Sequence, residues 1–145
     1  MSILRDDGGV REKSVYVRRE VITSILEYAT ACHPREGILL LRGRIDGERV
    51  FVEEVEVPPL STHGLGFSSF QPYMLPIDFS IIGTAHSHPS GILKPSATDM
   101  NMFYGIIMAI AAYPYRTERN LAIFDGEGRR LRYEIIDLGS PRKKR

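Results

Sequence analysis

Two imidazoles, a hydroxyl and a carboxylate fall within fourteen residues: His86 and His88 in His86-Ser87-His88-Pro89-Ser90-Gly91, then Ser96 and Asp99 in Ser96-Ala97-Thr98-Asp99. The run Ile81-Ile82-Gly83-Thr84-Ala85 predicts a strand reaching His88. Side chains two apart on a strand share a face, with Cα atoms about 7 Å apart, so the two imidazoles converge on one ion. Pro95 and Ser96 read as a helix start, with Ser96 as N-cap and Asp99 in the first turn, where a carboxylate is favoured. A strand end feeding a helix start brings that carboxylate to the same ion. Two nitrogens and one oxygen, with no thiolate, suit zinc, and three protein ligands leave a position for water, as in catalytic sites. His-x-His alone would be a pair of hydrogen-bonded strand histidines, and Ser-x-x-Asp alone a capping box. The two halves, seven residues apart, point to metal binding, with the capping and ligand roles of Asp99 coexisting.

At these residues the sequence resembles the JAMM (also MPN+ or JAB) metalloprotease family, whose pattern is an upstream Glu, then His-x-His, seven residues, and Ser-x-x-Asp. The upstream Glu matches Glu36 in His33-Pro34-Arg35-Glu36-Gly37, followed by Ile38-Leu39-Leu40-Leu41. The resemblance covers most of the chain and is to a small stand-alone, archaeal-type prokaryotic member. It implies an α/β fold, a single-domain curved mixed β-sheet flanked by helices, related in layout to the zinc-dependent cytidine deaminases. It also implies zinc-dependent hydrolysis of the isopeptide or peptide bond after the C-terminal tail of a ubiquitin-like or sulfur-carrier protein. His86, His88 and Asp99 then hold one Zn2+ per chain, and Glu36 is the general base, a role worth about 10² to 10⁴ in rate. Ser96 donates a hydrogen bond to the oxyanion, a contact whose loss costs roughly 3 kcal/mol elsewhere. The implied partners are ubiquitin-like conjugates or their tails. Family members often pair, so a homodimer is compatible, but no interface is legible. The chain has little room for the inserted segments that grip two ubiquitins in relatives acting on chains, which makes a small prokaryotic modifier or sulfur carrier the expected substrate.

Two alternatives stand beside this reading. His88-Pro89-Ser90-Gly91 also resembles the RadC-like branch of the superfamily, and a non-proteolytic MPN-domain interaction module would keep the fold without the chemistry. The Ser87 spacer and the intact His86, His88 and Asp99 favour the protease. A nucleoside deaminase needs a later Pro-Cys-x-x-Cys that a chain with one cysteine lacks, and no helix-borne His-Glu-x-x-His is present.

The elements that must position these residues are legible as patterns. Val21, Ile22, Ile25, Leu26 and Ala29 recur at helical spacing and predict a helix from about Arg18 to Cys32. Asp46-Gly47 predicts a hairpin between Leu39 to Arg44 and Val50 to Val57, and a change of apolar parity between Val52 and Val55 marks a bulge. The apolar run from Ala97 to Tyr113, ended by Pro114, predicts a long helix with Met100, Phe103, Ile106, Ile107 and Ile110 on its buried face. A last hairpin follows, Leu121 to Phe124, then Asp125-Gly126-Glu127-Gly128, then alternating Leu131, Tyr133 and Ile135. Pro89-Ser90-Gly91 reads as a tight turn. Ser87 is expected to face away from the histidines. His33 and His63 have no ligand pattern and stay outside the site. A Pro-, Gly- and Ser-rich segment between Pro58 and Asp78, carrying Phe67, Phe70 and Tyr73, reads as a long loop whose aromatics either anchor it to the core or line a groove for an extended peptide tail, with anchoring favoured.

At 145 residues the chain is sized for one domain, taken as residues 1–140, with a basic tail at 141–145. A net charge of +1 gives no case for specific nucleic-acid binding. The single Cys32 excludes an internal disulfide and reads as packing. The lack of an apolar leader or long apolar span leads to the expectation of a cytoplasmic protein with no membrane partner.

Overall fold

The computed structural model describes residues 13–59 and 78–137. His63, Phe67, Phe70 and Tyr73 of the expected loop, and the tail at 141–145, lie outside the described residues.

Strand β1 (Ser14–Arg18) runs straight into helix α1 (Arg19–Cys32), whose buried side is the predicted stripe of Val21, Ile22, Ile25, Leu26 and Ala29, extended by Cys32. Each such aliphatic side chain contributes about 1.5–3 kcal/mol when fully buried. Strands β2 (Ile38–Asp46) and β3 (Arg49–Glu56) form the expected hairpin. Its pairing slips where Arg42 faces Glu54 and Gly43 faces Val52, so Glu53 is the extra residue of the bulge that the parity change marked. Beside the slip, Arg42 bonds Glu56, Ser80 and Asp78, the last at 3.0 Å. It thereby ties the end of β3 to the start of β4 (Ile81–His88).

After β4 the chain departs from expectation. Helix α2 is only Ala97–Asn101, and β5 (Ile107–Ala112) occupies what the sequence reading placed in a long helix. Every residue of β5 is buried, because β5 lies parallel to β4 and antiparallel to β6 (Leu121–Phe124) in the sheet interior. A strand covered on both faces reads as a continuous apolar run, which periodicity cannot tell from a buried helix. Gly105, at φ +80°, makes the break: a Cβ there would lie 2.3 Å from the Ile82 carbonyl oxygen.

The final hairpin is also corrected. Strand β7 (Arg130–Leu131) pairs with β6, but β8 (Tyr133–Ile136) pairs with β1 in parallel. The order β7-β6-β5-β4-β2-β3-β1-β8 places β7 and β8 at opposite edges of the eight-stranded sheet. Only Arg132 separates them in the chain, a span of about 7 Å, so the sheet curls until its edges nearly meet. This is the expected curved mixed sheet, brought close to a barrel. One face carries the main core, formed with α1 by Val15, Val17, Leu39, Leu41, Val50, Val52, Ala109 and Ile123.

Gly105→Ala is expected to lower stability by about 2–3 kcal/mol, combining left-handed backbone strain with the carbonyl clash. Gly47→Ala, at φ +65° with nothing within 4 Å of the added Cβ, is expected to cost only about 1 kcal/mol. Urea midpoints of the two variants check the difference.

Candidate metal centre

The second face of the sheet holds the site, and its rows follow from strand register. Leu40, Thr84, Met108 and Phe124 form one row, and Ile38, His86, Ile110 and Ala122 the next. His88 lies beside Ala112 of β5. On its other side the last β2–β4 pair is Ile38 with His86, beyond which the Ser87 N–H bonds the Gly37 carbonyl at 3.0 Å, and the exposed Glu36 precedes that contact by one residue. A polar stripe of Thr84, His86 and His88 thus runs down β4 between apolar neighbours, and Glu36 stands at its exposed end. Leu93, Phe103 and Tyr104 pack against the apolar members of this face.

Ser87 points to the opposite face, as expected, where its Oγ accepts the Gly37 N–H at 2.7 Å. The tight turn after β4 is present, with the Gly91 N–H donating to the His88 carbonyl at 3.0 Å. Ser96 caps α2 as expected: its Oγ accepts the Asp99 N–H at 3.0 Å, and Asp99 Oδ2 accepts the Ser96 N–H at 2.8 Å. The cap leaves the hydroxyl proton of the exposed Ser96 free to donate.

His86, His88 and Asp99 come together at only 6%, 7% and 6% exposure. Asp99 Oδ2 lies 2.8 Å from His88 Nε2, and Asp99 Oδ1 lies 3.5 Å from His86 Nδ1. Among the described residues no three His, Cys, Asp or Glu side chains surround a common point at coordination spacing. Two ligands of one tetrahedral zinc stand about 3.3 Å apart, whereas Asp99 and His88 lie at hydrogen-bond distance, 2.8 Å. Two imidazoles and one carboxylate, all buried, are of the type and number that suit zinc.

The proton positions follow from the partners. The Ile92 carbonyl, 2.9 Å away, can only accept, so His88 Nδ1 carries a proton. Asp99 Oδ2, 2.8 Å from Nε2, favours protonation there as well. Burial opposes this charge, but the Asp99 hydrogen bond, the Ile92 carbonyl and the negative charges of Asp99 and Glu36 outweigh it and raise the His88 pKa. Burial likewise works against ionised Asp99, yet the His88 and Ser96 hydrogen bonds and both imidazoles hold it at about 2. His86 goes the other way: burial pushes it down to about 4, assisted by His88 and opposed by Asp99. A backbone carbonyl holding one ring nitrogen is a support that metal-binding histidines commonly have.

Sequence reasoning missed three supports. Thr84 Oγ1 lies 2.9 Å from His86 Nε2, the Ile92 carbonyl holds His88, and the Tyr113 N–H donates to the His88 carbonyl at 3.1 Å. The Tyr113 ring stacks on His33 with centroids 4.6 Å apart, and His33 Nδ1 reaches the Tyr115 hydroxyl at 3.2 Å. A hydroxyl two residues before the first histidine was the available signal for Thr84. Nothing local marked the others.

Comparison with known proteins bears on the family and the fold. The model of prokaryotic homologs of the JAB domain matches residues 18–124. The chain belongs to this family. A Haloferax volcanii protein described as a "probable metalloprotease" is 30% identical over 136 residues, covering 88% of this chain and 84% of that one. Among solved structures, a JAB1/MPN domain protein from Archaeoglobus fulgidus shares 30% identity, with a TM-score of 0.64 over 83% of this chain and 98% of the other. Another, described as JAMM, a metalloprotease-like zinc site in the proteasome and signalosome, shares 26% identity with a TM-score of 0.60, covering 87% and 99%. The JAB-domain fold and a metalloprotease-like family character are thereby shown. Among the described residues no helix is long and apolar enough to cross a membrane.

The opposed shifts give this JAB-domain chain a definite acid response without metal. Between about pH 6.5 and 4 the unfolded chain binds a proton at His86 that the folded chain refuses, so stability falls as pH drops, by on the order of 3 kcal/mol. His88, raised in the folded state, contributes stability below pH 6.5 and loses it as pH rises through its folded value. Urea midpoints in chelator are expected to peak near pH 6.5 and to fall towards pH 4.5. A His86→Asn variant is expected to lose the acid-side slope.

Proposed function

We propose that the protein is a zinc-dependent isopeptidase or peptidase acting on the amide bond after the C-terminal tail of a ubiquitin-like or sulfur-carrier protein. His86, His88 and Asp99 are the metal ligands in this reading, Glu36 the general base and Ser96 an oxyanion donor. The observation that supports it is the approach of Glu36 to His88: beyond the last β2–β4 pair the Ser87 N–H bonds the Gly37 carbonyl at 3.0 Å, and the charge of Glu36 acts on the His88 imidazole. The Glu lies at the open end of the stripe and outside the ligand set, which is where a proton carrier is needed. The zinc-site description of one solved relative and the metalloprotease description of another support the same reaction class.

When bound, zinc supplies Lewis acidity and makes hydroxide available near neutral pH. The chain's residues do the rest. Glu36 takes the proton of the attacking water and returns it to the departing amine nitrogen. Ser96, with its Oγ fixed by the Asp99 N–H, donates its hydroxyl proton towards the carbonyl oxygen as charge develops there. The apolar flanks Ile38, Ile110 and Ala112 keep bulk water from the imidazoles. The exposed rim at Glu36 and Ser96 admits an extended tail.

The zinc-loaded protein is expected to cleave a conjugate of a small prokaryotic ubiquitin-like protein with a lysine-bearing target. Glu36→Gln is expected to retain zinc and lose about 10² to 10⁴ in rate, while Ser96→Ala loses about 10². Mass spectrometry of the products, with metal analysis of each variant, checks both. Undiminished cleavage by Glu36→Gln would overturn the assigned base. Intact conjugate with metal-saturated wild type would overturn the reaction.

A further inference from the structure

Thr84 is the one hydroxyl in the row Leu40, Thr84, Met108 and Phe124, and it is fully buried at 0% exposure. A buried hydroxyl among aliphatic and aromatic neighbours is costly without a partner. The partner is the ring nitrogen of His86 turned away from Asp99: Thr84 Oγ1 lies 2.9 Å from Nε2, while Nδ1 faces the Asp99 carboxylate at 3.5 Å. The two ring nitrogens therefore have different tasks, one set by the strand beneath and one by the site. A neutral imidazole carries one proton, and wherever it sits the other nitrogen keeps a lone pair.

We infer that Thr84 is the positioning residue of His86, its Oγ1 accepting the Nε2 proton so that Nδ1 presents its lone pair to the metal. This rests on the zinc reading of the site. The two histidines are then ligands of opposite sense: His88, held at Nδ1 by the Ile92 carbonyl, offers Nε2, and His86, held at Nε2, offers Nδ1. Support of this kind has a known scale, since losing an outer-shell partner typically weakens metal affinity about 10- to 100-fold. The strand itself supplies the geometry, because residues 84 and 86 are neighbours on one face of β4 and the shared backbone fixes their spacing.

The test uses Thr84→Val, which keeps the β-branched shape and removes the hydroxyl, and Thr84→Ser, which keeps the hydroxyl. Zinc affinity is measured on the full chain by chelator competition. The protonated ring nitrogen of His86 in the zinc-loaded protein is read from long-range proton–nitrogen NMR. Wild type is expected to show a proton on Nε2 of His86. Thr84→Val is expected to bind zinc about 10- to 100-fold more weakly, with metal-free urea unfolding still cooperative, and Thr84→Ser is expected to stay within about threefold of wild type, the scale of ordinary variation. Unchanged affinity in Thr84→Val, or a zinc-loaded wild type protonated on Nδ1 of His86, would overturn the role of Thr84 and leave the zinc reading standing. Wild type that takes up no zinc would overturn both.

Discussion

The Asp99 carboxylate closes the capping box of α2 through the Ser96 N–H and meets both imidazoles of β4 with the same two oxygens. One side chain thereby joins a strand end to a helix start across the turn at residues 89–95. A buried carboxylate is tolerable only where its charge is answered. Here the answers are the Ser96 N–H and the His88 hydrogen bond, which with the two imidazoles outweigh its desolvation. The cap and the contacts to the histidines share one side chain, so the five-residue helix has its place without needing much stability of its own.

The sheet serves that contact by its curvature and register. Because β7 and β8 follow one another in sequence yet sit at opposite edges, the sheet must curl, and the face with the histidines is set off from the α1 core. The bulge at Glu53 and the bonds of Arg42 to both β3 and the segment before β4 adjust the hairpin to that curve. Rows of side chains then run across β2, β4 and β5.

What was legible in the sequence was local. His86, His88, Ser96 and Asp99 lie within one turn-linked segment, and spacing alone is enough to relate them. The stripe of α1 and the Asp46-Gly47 turn were legible for the same reason. The approach of Glu36 to His88 was not, because it depends on the pairing of β2 with β4, and only the family resemblance pointed to that residue. Ile107 to Ala112 were misread because burial on both faces erases the period that separates strand from helix, although Gly105 marked the break. The edge pairing of β8 with β1 left no local trace at all, since alternation in Leu131, Tyr133 and Ile135 is the same whichever strand lies beside it.

If β4 and α2 grip one zinc ion through two imidazoles and a carboxylate, X-ray absorption spectroscopy of the zinc-loaded protein will show two imidazole nitrogens and light oxygen scatterers at about 2.0–2.2 Å with no sulfur. A sulfur scatterer at about 2.3 Å, or a spectrum with no imidazole signature, would contradict it.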